Sequence, residues 1–591
     1  MTRLSDALSA ADAIADTFLA GKHIPGVAYG VVIDGELVHS RGIGTLRVGE
    51  DAPPDADSVF RIASMTKSFT AATIVGLRDA GRLSLDDPIG RHVPELAGLQ
   101  GPTSDSPPVT VRHLLTMSSG LATDDPWGDR QQGLDLATFS DLLRGPLTFA
   151  WAPGTRFEYS NLGYGILGRL ITNVAGEEYR EVVRARLLEP LGLAATTFLM
   201  DDVAPDRLAH GYLWRDDGYL DEPIDPYGAL AAMGGIFTSI RDLARWVAFF
   251  TDAFPARDDA DPASPLSRAS RREMQQVHRP WSVELVQPSP DLEVAGRAGG
   301  YGLGLYTVDD TRYGTIVGHS GGYPGFGSSM RWHQGSGLGI VVVANHRYAP
   351  STLLGNEILA SLLAANVSPP RRILPALPTA AARAAVERLL VAWDDELAGR
   401  LFAMNVELDE PLVRRRAEIE GLRESHGHLR PEPALPDESV TPLHLAWWLA
   451  GERGGRVRIE IRLSPEAPPL VQTLALTVVH EPSPALADVA AAVVAAANGP
   501  DRVLAGNVDL DPAIDRTALS QQLGIVAAGH APLELGPAVQ GDGTTTATWR
   551  LRSRRAGRDV LDLELERNSG TGIVTRLRLV PRPPIVPRHA D

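Results

Sequence analysis

The chain has 591 residues, of which 44% are hydrophobic, 22% charged and 6% aromatic, and it contains no cysteine. At about 100–200 residues per domain this length predicts two to four domains. The 73 acidic and 56 basic residues give a net charge of −17, which argues against nucleic acid or an anionic membrane as a partner. Without cysteine there are no disulfides, thiolate-bound metals, iron–sulfur clusters or thiol nucleophiles.

The N-terminal segment does not have the pattern of an export signal. Asp6, Asp12 and Asp16 interrupt the stretch that a signal peptide keeps apolar. The longest apolar runs, such as Val489–Ala497, are far shorter than the ~20 residues of a transmembrane helix. We therefore expect a soluble, cytoplasmic protein with no membrane partner.

The first predicted elements are a β-hairpin and a helix. Val27–Ile33 and Glu36–Gly42 alternate apolar residues around Asp34-Gly35, a dipeptide typical of type I′ turns. Ser64–Ala80 follows as an amphipathic helix that ends at Gly81.

The rest of the first 366 residues is predicted to alternate helices, strands and one long excursion. Helical stretches fill the region from Asp86 to Arg245, one of them capped by Ser239. Ala256–Gly300 is polar and contains five prolines, which favours a surface excursion. The closing elements are three strands and a helix: Gly314–Gly318, Ser328–His333, Gly339–Asn345 and Leu353–Asn366. Together these elements predict one mixed domain over residues 1–366.

A proline-rich linker, residues 367–379, separates this domain from a weak internal repeat. Asn405–Pro411 is echoed by Asn507–Pro512. Each copy follows a predicted helix and precedes two alternating strands, so residues 380–480 and 485–583 are predicted to be duplicated α+β modules. Helix followed by a curved sheet resembles the cone-shaped fold of nuclear transport factor 2. The helices and strands of the two copies are Ala380–Leu401, Val457–Leu463 and Leu470–Val478, then Ala485–Asn498, Val560–Glu566 and Ile573–Val580.

Lysine is rare in this sequence, and its positions are informative. Only Lys22 and Lys67 are lysines, so the remaining basic residues are all arginine. A position that keeps lysine in such a chain is a candidate for an amine that loses its proton, which a guanidinium does not do. Lys22 has the surroundings of a solvated loop, whereas Lys67 follows Ser64 by three residues at the start of the predicted helix. That spacing places the hydroxyl and the amine on one helical face.

Two further segments offer the remaining groups of a nucleophilic site. Tyr159-Ser160-Asn161 supplies a phenol that can move a proton and an amide that can hold a substrate carbonyl. His319-Ser320-Gly321-Gly322 is predicted to lie at the end of the strand Gly314–Gly318, where glycines allow a substrate to approach free backbone N–H groups.

These three motifs, in this order, resemble the serine β-lactamase and penicillin-binding-protein superfamily. The resemblance covers about residues 10–366, includes Thr110–Leu121 and Met233–Ser239, and is nearest to class C β-lactamases, esterases of that fold and D-aminopeptidases. It implies an α+β domain in which an antiparallel sheet, flanked by helices, adjoins a mainly helical lobe, with the two small α+β modules following.

The resemblance also implies a role for each motif residue. Ser64 is expected to be the acylated nucleophile, with Lys67 and Tyr159 as coupled general base and acid. The backbone N–H groups of Ser64 and Gly322 are expected to form the oxyanion hole, and Asn161 to contact a substrate amide. His319, Ser320 and Gly321 are the remaining expected substrate-binding residues.

One departure from the family pattern bears on the substrate. The third motif is often Lys-Thr-Gly, whose lysine helps to bind a substrate carboxylate, and here it is His319-Ser320-Gly321. A mostly neutral imidazole is a poorer anion receptor, so β-lactamase and D,D-carboxypeptidase activity is expected to be weak at best. His-x-Gly resembles the D-aminopeptidases and peptide-cyclising thioesterases of this fold.

Three other interpretations need to be considered. Gly318–Gly322 matches the nucleophile elbow of α/β-hydrolases, with Ser320 as nucleophile, but Tyr323–Gly327 would break the helix that this motif requires. Proteins of this fold also serve as non-catalytic sensors or scaffolds. His426-Gly427-His428 lacks further ligands and is expected to be a solvated loop, so no metal is assigned.

The sequence therefore predicts a cofactor-free serine hydrolase that forms an acyl-enzyme on an ester or amide, of esterase or D-amino-acid peptidase type. A peptide-cyclising or transesterifying acyltransferase is the alternative within the fold. The expected partners are a small ester or peptide substrate and, through the C-terminal repeats, a second copy of the chain.

Overall fold

The structure is a computed structural model that describes residues 2–257, 259–261, 264–286, 295–369, 371 and 373–582. The described residues up to 369 form one compact unit, and those from Arg371 onward form a second. In the described part of the chain, no helix is both long and apolar enough to cross a membrane.

The first unit is built on an antiparallel sheet of eight strands. Its strands, together with those of two small two-stranded sheets, are β1 (Gly26–Ile33), β2 (Glu36–Gly44), β3 (Val59–Arg61), β4 (Gly211–Arg215), β5 (Gly218–Glu222), β6 (Phe237–Ser239), β7 (Arg279–Val286), β8 (Ala295–Tyr301), β9 (Tyr306–Asp310), β10 (Gly314–Tyr323), β11 (Phe326–His333) and β12 (Gly339–Ala344). The order in the large sheet is β2-β1-β12-β11-β10-β9-β8-β7, and β3 pairs with β6 and β4 with β5. The sheet therefore joins the two ends of the unit.

Helices cover both faces of this sheet because its central strands are apolar on both sides. Tyr29 and Val31 of β1 belong to one buried cluster, and Ala28 and Val32 to another. The helices of the unit are α1 (Thr2–Leu19), α2 (Thr66–Asp79), α3 (Val111–Leu115), α4 (Asp125–Gly128), α5 (Leu136–Arg144), α6 (Asn161–Ala175), α7 (Tyr179–Val183), α8 (Ala231–Gly234), α9 (Ile240–Thr251), α10 (Arg268–Met274) and α11 (Ser351–Ala364). The clusters place α1 and α11 on one face, and α9 with the helical lobe on the other.

Several local predictions are confirmed. Asp34 and Gly35 have φ angles of 50° and 84°, the two left-handed residues that a type I′ turn requires. The Ser239 hydroxyl accepts a hydrogen bond of 3.2 Å from the Asp242 N–H and so caps α9. The predicted architecture, an antiparallel sheet flanked by helices with a helical lobe and small C-terminal sheet modules, is also confirmed.

Three local predictions are wrong. Ala256–Gly300 is not simply an excursion, because its described residues include α10, β7 and most of β8. The glycines of β8 reduce the apolar alternation that would identify a strand, and the alternation of Trp281, Val283 and Leu285 in β7 is short. The helix expected from Ser64 begins at Thr66, after a 3₁₀ turn at Ala63–Met65. Strand β10 continues to Tyr323, so the His319–Gly322 motif lies inside the strand and not after its end.

The second unit contains two modules of the same kind. Their sheets follow the orders β13-β14-β15-β16 and β17-β18-β19-β20, each antiparallel. The elements are α12 (Leu377–Val391), α13 (Asp395–Leu401), α14 (Met404–Asp409), α15 (Leu412–His426), β13 (Leu429–Pro431), β14 (His444–Gly451), β15 (Arg456–Leu463) and β16 (Val471–Val479), then α16 (Pro484–Asn498), α17 (Arg516–His530), β17 (Leu533–Gln540), β18 (Thr546–Ser553), β19 (Arg558–Arg567) and β20 (Val574–Pro581). Each module places helices before an antiparallel sheet of four strands, and the duplication stays a prediction.

Details of these modules differ from the expectation. Ala380–Leu401 is two helices and not one, since the chain leaves the helical conformation between α12 and α13. His426 is buried at the end of α15, with its Nδ1 2.7 Å from the Ser425 hydroxyl, and does not lie in a solvated loop. Trp448 and Val479 of the first module belong to the core of the second, so the two modules share apolar packing. The cone-shaped fold stays a prediction.

Candidate active site

Ser64 lies in the short turn that connects β3 to α2. Ala63, directly before it, has a φ of 46°, in the left-handed region that alanine rarely adopts. The Ile62 N–H donates to Ile236 O (3.0 Å), and the Met65 N–H donates to Ile62 O (3.3 Å), so both sides of the turn are held. Ser64 is only partly buried. The turn thus presents the hydroxyl at the N-terminal end of α2, where partial positive charge favours a developing anion.

Lys67 is completely buried in the first turn of α2. Its amine donates to Ser64 Oγ at 2.9 Å, to Asn161 Oδ1 at 2.7 Å and to the Met233 carbonyl at 2.8 Å. Burial lowers the pKa of Lys67 to about 8, although carboxylates nearby oppose the effect. The amine therefore lies in contact with the hydroxyl and can give up its proton near neutral pH.

Tyr159 lies in the loop before α6, with its ring 4.9 Å from Lys67 Nζ. Its hydroxyl interacts with the side chains of Ser64 and Tyr306. The surrounding protein raises the pKa of Tyr159 well above its usual value, because a phenolate would be poorly solvated there.

Asn161 is the first residue of α6, and both ends of its buried amide are engaged. The oxygen accepts from Lys67, and Nδ2 donates to Asp125 Oδ1 at 2.7 Å. Asp124 accepts the backbone N–H groups of Asn161 and Leu162, each at 2.7 Å. Asn161 was predicted to contact a substrate amide, and in this structure it connects Lys67 to the α4 segment.

Strand β10 passes directly beside the Ser64 turn. Strand β9 pairs with β10 only as far as Gly318, whereas β11 pairs with it through Tyr323. The β9 side of residues 319–323 is thus without a strand partner in the described sheet. A Cβ on Gly321 would lie 2.1 Å from Ile62 O, so only glycine permits this approach. Gly322, the expected second oxyanion donor, follows on this free edge.

His319 lies behind that edge and is almost completely buried. Its Nδ1 is 2.6 Å from the Ser320 carbonyl, so Nδ1 carries the proton and Nε2 accepts from the Tyr301 hydroxyl at 3.0 Å. Burial, and then the charge of Lys67, lower the pKa of His319 to about 3. The ring is therefore neutral and fully hydrogen-bonded, while Ser320 is partly exposed on the strand.

The structure brings all predicted site segments together and adds residues that the sequence analysis missed. The additional residues are carboxylates and phenols around Lys67 and His319. Asp124 and Asp125 hold Asn161, and the only sequence signal for them is an acidic pair before a proline. Tyr306 stacks on His319 at 4.5 Å between ring centroids, and it follows a glycine-rich segment without a motif.

Two rival sites find no support in the geometry. Ser320 lies within β10, which turns at Pro324-Gly325 into β11, so the helix required by an α/β-hydrolase elbow is replaced by a strand. Among the described residues, no three or more histidine, aspartate or glutamate side chains are grouped as a metal would require.

Comparison with known proteins decides the family. A profile described as Beta-lactamase matches residues 11–364. The chain belongs to the beta-lactamase family. The match covers the whole first unit apart from its ends, including every motif residue described above.

Curated members of the beta-lactamase family are similar over the same part of the chain. The D-alanyl-D-alanine-carboxypeptidase/endopeptidase AmpH of Escherichia coli K12 is 28% identical over 345 residues, 56% of this chain and 82% of that protein. Protein flp of Staphylococcus aureus MW2 is 28% identical over 350 residues, 58% of this chain and 64% of that protein. Beta-lactamase-like protein 2 of Dictyostelium discoideum is 33% identical over 249 residues, 40% of this chain and 45% of that protein.

A solved structure extends the fold similarity. The octameric penicillin-binding protein homologue from Pyrococcus abyssi superposes with a TM-score of 0.51 and 21% identity, covering 97% of this chain and 99% of that one. At this identity the similarity concerns the fold.

Proposed function

We propose that the protein is a serine hydrolase that forms an acyl-enzyme on Ser64 from an ester or amide substrate. The observation that carries the proposal is the 2.9 Å hydrogen bond between a completely buried Lys67 amine and Ser64 Oγ. A nucleophile and a base within hydrogen-bond reach, with the base oriented by a third group (here Asn161), are the requirements for covalent catalysis.

The pKa shifts favour Lys67 over Tyr159 as the base for acylation. With a pKa of about 8 for Lys67, roughly a tenth of the molecules hold a neutral amine at pH 7. The Tyr159 phenolate is far rarer, because its pKa is raised well above the usual value. Lys67 then takes the Ser64 proton as Oγ attacks the carbonyl carbon, and the neutral Tyr159 hydroxyl is the acid for the leaving group.

The oxyanion is proposed to bind the backbone N–H groups of Ser64 and Gly322. The free edge of β10 and the turn at the start of α2 support this assignment, because backbone donors held by the fold need little reorganisation during the reaction. Collapse of the tetrahedral intermediate breaks the bond to the leaving group, which takes the Tyr159 proton. Water then gives a proton to the Tyr159 phenolate as it attacks the acyl carbon. The bond between the acyl carbon and Ser64 Oγ breaks, and Lys67 returns its proton to Ser64.

The neutral His319 favours substrates without an obligatory carboxylate, hence an esterase or a D-amino-acid peptidase or amidase. Asn161, Ser320 and Gly321 are proposed to contribute to substrate binding with it. Peptide substrates are consistent with the similarity to AmpH, a protein named as a peptidase. Transfer of the acyl group to an amine or alcohol requires only a different acceptor at the second step. A non-catalytic scaffold is less supported, since all reacting groups are present and in contact.

Assembly is a separate part of the proposal. The Pyrococcus abyssi homologue is described as octameric, and we propose that this chain forms a homo-oligomer through its C-terminal modules. A cytoplasmic location stays a prediction.

Labelling with a fluorophosphonate tests the nucleophile. Intact mass is measured for the wild type, Ser64→Ala and Ser320→Ala after treatment. We expect one adduct in the wild type and in Ser320→Ala, and none in Ser64→Ala. An adduct lost only in Ser320→Ala would show that the wrong serine was assigned. No labelling of the folded wild type would favour the scaffold.

A further inference from the structure

Tyr348 has an unusual backbone conformation beside the candidate active site. It follows β12 and precedes α11, and its φ is 47°, in the left-handed region where a bulky aromatic residue is rarely found. Its side chain is also about half exposed, at 49%, so burial of the ring does not explain the conformation. Such strain persists where the surroundings impose it, and it is concentrated at functional sites.

The ring of Tyr348 lies between the two sides of the catalytic cleft. On the sheet side it packs on Gly322, where an added Cβ would be 2.8 Å from Tyr348 Cδ1. On the side of α4 its hydroxyl donates to Asp129 Oδ2 at 2.8 Å. Asp129 is 6% exposed, so this hydrogen bond is sheltered from water. Tyr348 is therefore tethered across the Gly322 end of the cleft.

The backbone at Tyr348 and directly before it is held firmly enough to impose the strained conformation. The Tyr348 N–H donates to the Tyr323 carbonyl at 3.3 Å, on the same strand as Gly322. Arg347 donates through Nε to Glu222 at 2.7 Å, and its N–H donates to the Tyr212 carbonyl at 2.8 Å. These contacts fix where the ring stands before any substrate arrives.

We infer that Tyr348, held by Asp129, is a specificity-determining residue that limits the size of the acyl group. The inference rests on the proposed function. A leaving group must approach Tyr159 to receive its proton, so the substituent that remains on the carbonyl carbon extends away from Tyr159. At the Gly322 end of the oxyanion hole, that substituent meets the Tyr348 ring. Short acyl groups fit, and long ones collide with the tethered ring.

The test compares kcat/KM for p-nitrophenyl acetate, butyrate and octanoate in the wild type and in Tyr348→Ala, Tyr348→Phe, Asp129→Ala and Asp129→Asn. Tyr348→Ala should raise the octanoate-to-acetate ratio by about tenfold or more, in the range that a few methylenes in a pocket produce. Tyr348→Phe and Asp129→Ala remove the same tether from its two ends and should give similar, smaller increases. Asp129→Asn keeps an acceptor and should leave the ratio near that of the wild type.

Tyr313→Phe and Leu353→Ala are matched controls for loss of a hydroxyl and of a side chain. Tyr313 packs on the sheet face that carries α1 and α11, and Leu353 is exposed on α11. An unchanged acyl-length ratio in Tyr348→Ala, with Ser64 still labelled by the fluorophosphonate, overturns the inference and leaves the proposed function standing. If Tyr348→Ala does not fold, Tyr348→Phe and Asp129→Ala replace it in the test. An unchanged acyl-length ratio in both then overturns the inference. A folded wild type that neither labels nor hydrolyses any ester overturns both.

Discussion

Lys67 shows how one buried side chain sets the chemistry of a site. Its three hydrogen bonds satisfy all three N–H groups of the ammonium form, while complete burial opposes that charge. These opposing effects keep the pKa of Lys67 near neutral pH, where its amine can both accept a proton and return it. An arginine in this place would keep its proton throughout.

Lys67→Arg should therefore remove nearly all activity although the charge is kept. General-base catalysis contributes about 10²–10⁴-fold, and we expect kcat/KM on a small ester to fall within that range. Lys22→Arg is the control, since Lys22 is exposed and lies over the Phe18 ring. Substantial activity in a folded Lys67→Arg variant would rule out proton transfer through this residue.

The pH dependence of acylation follows from the same residue. Lys67 accepts a proton only when neutral, so kcat/KM should rise with pH and level off above a midpoint near 8. His319, with a pKa of about 3, should add no step between pH 5 and 9. Because Lys67 and Tyr159 are coupled through Ser64, the midpoint belongs to the group as a whole. The rate of fluorophosphonate labelling, measured from pH 6.5 to 9, tests this assignment. A rate that does not change over this range would contradict it.

At the scale of elements, the site depends on how closely β10 approaches the turn before α2. The sequence analysis predicts that His319–Gly322 contributes to the site, but it places the end of the strand at Gly318. Glycines reduce the apolar alternation that reveals a strand, and pairing with β11 extends it to Tyr323. The same glycines allow the close approach.

Gly321→Ala tests this approach. The new Cβ would lie 2.1 Å from Ile62 O and 2.4 Å from Ser328 Oγ, so the strand or the Ser64 turn must move. We expect a loss of about 1–3 kcal/mol in the free energy of unfolding and a fall of about 10²-fold in kcat/KM. Urea denaturation and ester hydrolysis measure the two effects. Gly98→Ala, where a Cβ meets no atom within 4 Å, is the control; equal effects of both changes would refute the steric argument.

At the scale of the whole molecule, the proposed catalytic groups all belong to the first unit. The buried clusters of that unit and those of the C-terminal unit share no residue. A unit with its own core is expected to fold independently. We therefore expect the C-terminal modules to contribute something other than the chemistry itself.

A chain that ends at Pro369 should keep its activity toward small esters within a few-fold of the full-length value. Purified truncated protein is compared with the full chain by kcat/KM for p-nitrophenyl acetate and by fluorophosphonate labelling. A folded truncated protein that no longer labels would mean that the modules complete the site.

The same pair of proteins tests the proposed assembly. Light scattering during gel filtration should give a mass above 63.3 kDa for the full chain, the mass of one copy. The truncated protein should elute as a monomer. A monomeric full-length chain would contradict assembly through the modules.

Much of this protein is determined by local sequence. Residue spacing predicts the Ser64–Lys67 pair, the Asp34-Gly35 turn and the cap at Ser239, because each depends on neighbours within a few positions. Only the tertiary structure decides which carboxylates and phenols surround Lys67, how far β10 extends and what holds Tyr348. Those features arise from contacts between segments distant along the chain, which leave no periodic pattern in the sequence.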